Sequence, residues 1–132
     1  MSLCDARSLY LEMSVQARNP IVHLELHSVE EPDAADFYER LFGWRRERVE
    51  TPHGSYLSLH PGDALGAGIV PCPAERSLWL PYVQVEDVHR ATERADELGA
   101  RVLLSTREGP AGWRSVIASR AGAEIALWQP KR

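Results

Sequence analysis

The chain has 132 residues, 44% of them hydrophobic and 26% charged, with a formal net charge of −4, which is one domain's length and enough to bury a core without staples. No apolar run approaches the ~20 residues that cross a bilayer, the N-terminal stretch lacks the make-up of a secretion signal, and no Lys/Arg stripe offers a face to phosphates. Small molecules are therefore the expected partners, with neither nucleic acid nor membrane, and the cytoplasm is the expected compartment. Cys4 and Cys72 have no motif spacing and read as free thiols.

Residues 1–19 show neither helical nor strand periodicity and read as an irregular leader. The pattern sharpens at "IVHLELHS", where Val22, Leu24 and Leu26 alternate with His23, Glu25 and His27. That period of two predicts a strand with one apolar face. "EEPDAADFYERLFG" predicts a helix: Pro32 near its start, acidic residues in its first turn, Phe37/Leu41 and Tyr38/Phe42 four apart, and Gly43 at its end. "WRRERVE", "SYLSLH" and "LGAGIV" follow as three short strands separated by turn-forming residues.

The order then recurs. "LPYVQV" reads as a strand and "EDVHRATERADELG" as a helix with Val88, Ala91, Ala95 and Leu98 on one face. "ARVLLS", "WRSVIAS" and "EIALWQ" supply three more strands. "RLFGWR" lies over "DELGAR" without a gap, bringing Gly43 onto Gly99; with one extra residue allowed in the first strand–helix loop, His23, Glu25 and His27 fall opposite Leu80, Tyr82 and Gln84. The fold class expected is α+β, a β-α-β-β-β module written twice over 20–71 and 78–130.

With "HLELHSVEEPDAADFYERLFGW", "YVQVEDVHRATERADELGARV" and "GAEIALWQP" in this order, the chain resembles the vicinal oxygen chelate superfamily. That group includes glyoxalase I, bleomycin and fosfomycin resistance proteins and extradiol dioxygenases. The resemblance implies paired βαβββ modules forming a cup-shaped mixed sheet, assembled as a homodimer. It also implies four positions for metal ligands, on the first and last strands of each module. These fall on His23, Leu80, Ala126 and either Gly66 or Ala67, so three of the four carry no donor atom. Nor does the "HLELH" run replace them. Alternate residues on a strand face lie ~6.6 Å apart, whereas ligand atoms around one ion lie within about 3–4 Å. No cofactor is expected, and a divalent metal is disfavoured.

The cup implied by the resemblance is lined by His23, Glu25, His27, Leu80, Tyr82, Gln84, Glu124 and Trp128, joined by Tyr56 and Ser58. Aromatic area with a few convergent polar groups suits a small ligand, stacked on Trp128 or Tyr82 or held as a cation with Glu25 as countercharge. Duller roles stand beside these: His23 and His27 as solvated or hydrogen-bonded side chains, Trp128 and Tyr82 as rim packing, and Trp44 and Trp79 as core or dimer contacts. Trp113 is expected in a glycine-rich loop, as a flap or a turn anchor. The leading expectation is metal-free binding of an aromatic or cationic molecule. The alternatives are a metal-free isomerase or lyase working through a His23–Glu25 acid–base pair, a glyoxalase- or dioxygenase-type metalloenzyme, and an interaction domain with a vestigial cup.

Overall fold

The computed structural model describes residues 19–52, 54–61, 65–71 and 77–132; the expected leader apart from Asn19, both cysteines and His53 lie outside them. The elements run β1 (Ile21–Ser28), α1 (Glu31–Phe42), β2 (Arg45–Thr51), β3 (Gly54–His60), β4 (Gly66–Pro71), β5 (Leu78–Gln84), α2 (Val88–Glu97), β6 (Arg101–Glu108), β7 (Gly112–Ala118) and β8 (Glu124–Pro130). This is the β-α-β-β-β order twice over, as the repeat predicts. All eight strands join one mixed sheet in the order β2-β3-β4-β1-β5-β8-β7-β6. Each half contributes a parallel pair, β1 with β4 and β5 with β8, and antiparallel pairing of β1 with β5 stitches the halves together.

The helix ends follow from local chemistry. Gly43 takes φ 75° just past α1, and its N–H donates to the Glu39 carbonyl at 2.8 Å, the left-handed stop that a side chain with a Cβ resists. At the start of α2 the Asp87 carboxylate accepts from the Arg90 N–H at 3.1 Å, satisfying one orphan donor.

Both helices lie on the same face of the sheet. Under α1, Leu26, Ala35, Leu57, Leu59, Ala67 and Ile69 form a buried core; truncating a leucine such as Leu59 there would cost about 2–5 kcal/mol. The helix approaches through Ala34, Ala35 and Tyr38, and small alanines bring its backbone close. Phe37 and Leu41, although spaced as an apolar helical pair, face outward at 56% and 57% exposure. Trp44 and Trp79 pack their rings 5.7 Å and 5.3 Å from Tyr38, and Trp79 Nε1 donates to the Tyr38 hydroxyl at 3.2 Å. Both tryptophans are therefore packing residues. Under α2, Val88 is buried, and the fully buried Ser115 hydroxyl pairs with Thr92 Oγ1 at 2.8 Å.

The opposite face is the inside of the cup. Leu80, Tyr82, Val116 and Ala126 cluster there with Leu78, Leu104 and Trp128. Trp113 departs from expectation: it lies within β7 rather than in a loop, with Lys131 Nζ 5.5 Å from its ring centre. Among the described residues no helix is long and apolar enough to cross a membrane.

Candidate functional site

The alternation along β1 places Leu24 and Leu26 against the helix-side core and leaves His23, Glu25 and His27 on the inner face. Antiparallel pairing with β5 sets His23 opposite Tyr82, Glu25 opposite Leu80 and His27 opposite Leu78. From the second half, β8 brings Trp128 beside Gln84, and β7 brings Arg114 beside Trp128.

Glu25 is the hub of the polar part. Its side chain is 14% exposed, and Oε1 lies 2.6 Å from His27 Nε2 and 3.5 Å from Arg114 Nη1. Arg114 Nη1 also donates to the Tyr82 hydroxyl. Burial by itself pushes the Glu25 pKa up, but the hydrogen bond from His27, the Arg114 charge and a hydrogen bond with Tyr82 outweigh it and hold the carboxyl below its ordinary value. Tyr82 moves the other way: burial, then the neighbouring carboxylate, push its phenol up to about 12. His23 is lowered by burial, which the Glu25 charge offsets only in part, so its imidazole is neutral at pH 7.

The aromatic part begins where the polar part ends. The His23 ring meets Tyr82 edge-on at 5.2 Å, and Tyr82 meets Trp128 at 6.1 Å. Glycines in β4 make room for the histidine. A Cβ added at Gly66 would sit 3.0 Å from His23 Nδ1, and one at Gly68 would touch both the Tyr56 ring at 3.6 Å and His23 Nε2 at 3.7 Å. The Tyr56 ring and the His23 imidazole thus both border the space above Gly68.

The structure thus gathers His23, Glu25, His27, Tyr56, Tyr82 and Trp128, with half-buried Ser58 paired to Gly68. Leu80 faces inward but is only 1% exposed, covered by its apolar neighbours. Gln84 and Glu124 are exposed at the ends of their strands. The expected partnership of Glu25 with His23 is not the one formed: the hydrogen bond goes to His27, while His23 lies over the β4 glycines and against Tyr82.

Arg114 is the residue that sequence reasoning missed. Ser58 pairs with Gly68 as Val116 pairs with Ala126, so Tyr56 and Arg114, each two residues earlier, occupy the same place in the two modules. Tyr56 was singled out; the repeat applied to the third strand of the second module leads to Arg114.

The same register tests the metal positions. His23 is opposite Tyr82 and Glu25 opposite Leu80, which makes His23 equivalent to Leu80 and Glu25 to Tyr82. Glu25 pairs with Gly68 and Tyr82 with Ala126, so the first-module position is Gly68 rather than Gly66 or Ala67. His23, Gly68, Leu80 and Ala126 together offer one imidazole. Among the described residues no three His, Cys, Asp or Glu side chains come together as a metal-binding group. The donor set does not fit the divalent centre of the metal-using members.

Comparison with known proteins bears on the whole domain. A family model described as a glyoxalase-like domain matches residues 23–128. CFP32 of Mycobacterium tuberculosis, a protein that carries a glyoxylase name, is 30% identical over 119 residues, covering 83% of this chain and 45% of its own length. The anthracycline biosynthesis protein DnrV of Streptomyces peucetius is 27% identical over 123 residues, covering 80% and 45%. The chain thus spans just under half the length of these curated relatives. Methylmalonyl-CoA epimerase from Mycobacterium tuberculosis superposes with a TM-score of 0.63 at 16% identity, covering 85% of this chain and 88% of the epimerase, a likeness of fold.

Proposed function

The chain belongs to the glyoxalase-like domain family of the vicinal oxygen chelate superfamily, and from that premise we propose that its cup binds a small, ring-bearing molecule without a resident divalent ion. One observation carries the reading. The inner face joins an aromatic wall of His23, Tyr82 and Trp128 to the ionic cluster at Glu25, while the superfamily's other ligand positions hold Gly68, Leu80 and Ala126. A flat ligand stacked on the partly buried Trp128 would bury apolar area on its ring, with the buried Tyr82 ring backing that wall.

Two measurements test this. Untagged protein purified without chelators or metal resin should contain far less than one equivalent of zinc, nickel, iron or manganese by elemental analysis. Aromatic ligands should quench tryptophan fluorescence in the native protein, and Trp128→Ala should weaken their binding about tenfold through lost stacking. Stoichiometric metal would overturn the metal-free reading, and unchanged affinity in Trp128→Ala would remove the aromatic wall from the site.

A second reading is favoured by His23. Among the described residues its ring makes no hydrogen bond, only the edge contact with Tyr82, and burial keeps it neutral. A neutral imidazole on the inner face can accept a proton from carbon next to a carbonyl. Glu25, already bonded to His27 and Arg114, is poorly placed to act as that base. On this reading His23→Gln abolishes turnover while ligand affinity stays within a few-fold. Turnover that survives the substitution excludes His23 as the base.

A further inference from the structure

We infer that Arg114 is the ligand-anchoring cation of the cup and that the ligand class is a flat aromatic acid, one bearing a carboxylate or comparable anionic oxygen beside its ring. The inference rests on the proposed binding of a ring-bearing molecule. Its ground is how the charges are already spent. As countercharge to a cationic ligand Glu25 is already engaged: its Oε1 lies 2.6 Å from His27 Nε2 and 3.5 Å from Arg114 Nη1. A cation entering the cup would meet a carboxylate whose charge is already offset by a guanidinium, and would meet that guanidinium's repulsion beside it.

Arg114 has donors left over. Among the described residues its contacts run through Nη1 alone, to Tyr82 and Glu25. A guanidinium carries five N–H donors, so those on Nη2 and Nε have no partner there. The side chain is 40% exposed, open enough to be reached, and is held at Nη1 by a hydrogen bond to Tyr82 and an ion pair with Glu25. Planar donors in fixed geometry match a carboxylate. Trp128 lies directly across the β7–β8 pair from Arg114, and Tyr82 touches both. A ring on the aromatic wall would thus carry its acidic substituent toward the guanidinium.

The test uses three probes of one shape: 2-naphthoate, the uncharged 2-naphthamide and the cationic 2-naphthylmethylammonium, titrated calorimetrically into wild type, Arg114→Gln and Arg114→Lys. The wild type should prefer naphthoate over naphthamide by about tenfold, the strength of a charge-assisted hydrogen bond. Arg114→Gln should abolish the preference and leave naphthamide affinity within a few-fold. Arg114→Lys, which keeps the charge and loses the fork, should fall between and guard against misreading a folding defect. Equal binding of all three probes overturns the assignment of Arg114 and leaves the aromatic site standing. Tightest binding of the ammonium probe overturns it in favour of Glu25. Binding of none overturns the aromatic site, and this inference with it.

Discussion

Glu25, on the first strand of one module, and Arg114, on the third strand of the other, meet at 3.5 Å across the inside of the cup. Glu25 also has His27 from its own half, whereas among the described residues Arg114 has no acidic partner in its own. The carboxylate is well shielded at 14% exposure while the guanidinium is 40% exposed, so the pair is asymmetric: the acid depends on its partners more than the arginine does.

Glu25→Gln should therefore destabilise the fold. Breaking a fully buried pair costs several kcal/mol, but solvent around Arg114 screens part of this, and the loss expected is about 1–3 kcal/mol. Urea midpoints of the two proteins, with unchanged slope, would measure it. An unaltered midpoint would mean that the cluster contributes nothing net to stability.

His23 should make stability fall below neutrality. Its folded pKa lies beneath the ordinary histidine value of 6.5, so as pH drops through 6.5 the unfolded chain takes up a proton that the native state refuses. The contribution of the neutral ring is complete above 6.5 and is lost toward the folded value. The stability gap between wild type and His23→Gln should accordingly narrow on acidification. Glu25 is also lowered, from 4.5, so its contribution holds above 4.5 and fades only in stronger acid. A gap that stays constant from pH 7 to about pH 5 would contradict the His23 assignment.

At alkaline pH the phenol of Tyr82 should titrate late, because burial and the neighbouring Glu25 carboxylate hold its proton on. Its folded value of about 12 lies above the ordinary tyrosine value of 10.0, so between these values the unfolded state loses a proton that the native state keeps, and stability declines as pH rises. Ultraviolet phenolate absorbance should show a late step missing from Tyr82→Phe. A wild-type curve that fits one common tyrosine step would count against the buried phenol.

Substitutions at glycine should separate packing from site geometry. A Cβ at Gly112 would fall against the Gln129 carbonyl and 2.9 Å from the Trp128 ring; Gly112→Ala should cost about 1–3 kcal/mol and dislodge Trp128. Gly68→Ala meets only ordinary contacts of 3.5–3.7 Å and should be near neutral. At Gly66 the added methyl would press on His23 Nδ1 at 3.0 Å, tilting the imidazole with little change in melting temperature. Ligand affinity should therefore drop in Gly66→Ala and hold in Gly68→Ala, a contrast that calorimetry resolves.

The fold was legible because its signals are periodic. Alternation in "IVHLELHS" and the matched glycines at 43 and 99 identify both modules in the sequence alone, since strand faces and left-handed helix stops are local demands. The inner face was legible in part for the same reason. Partner choice was not. Glu25 has a histidine on either side at equal spacing, and the alternation carries nothing that selects His27 over His23 as its hydrogen-bond partner. Arg114 reads as one more strand arginine until strand order brings β7 beside β8 and β8 beside β5. Phe37 and Leu41 show the limit of helical pattern: alanines and Tyr38 make the inward contacts.

The seam between β1 and β5 makes the two halves mutually answerable. Carboxylate and histidines come from one, while guanidinium, phenol and indole come from the other, so a gene encoding either half alone would encode no site. If the chain arose by duplication, its ancestor would have had this pocket only as a pair of identical polypeptides, with the same side chains repeated on both sides of the axis. On that history the two copies have diverged, one carrying the β4 glycines beneath His23 and the other Trp128 and Arg114. Co-expressing the halves as separate fragments should restore ligand binding only when both are present.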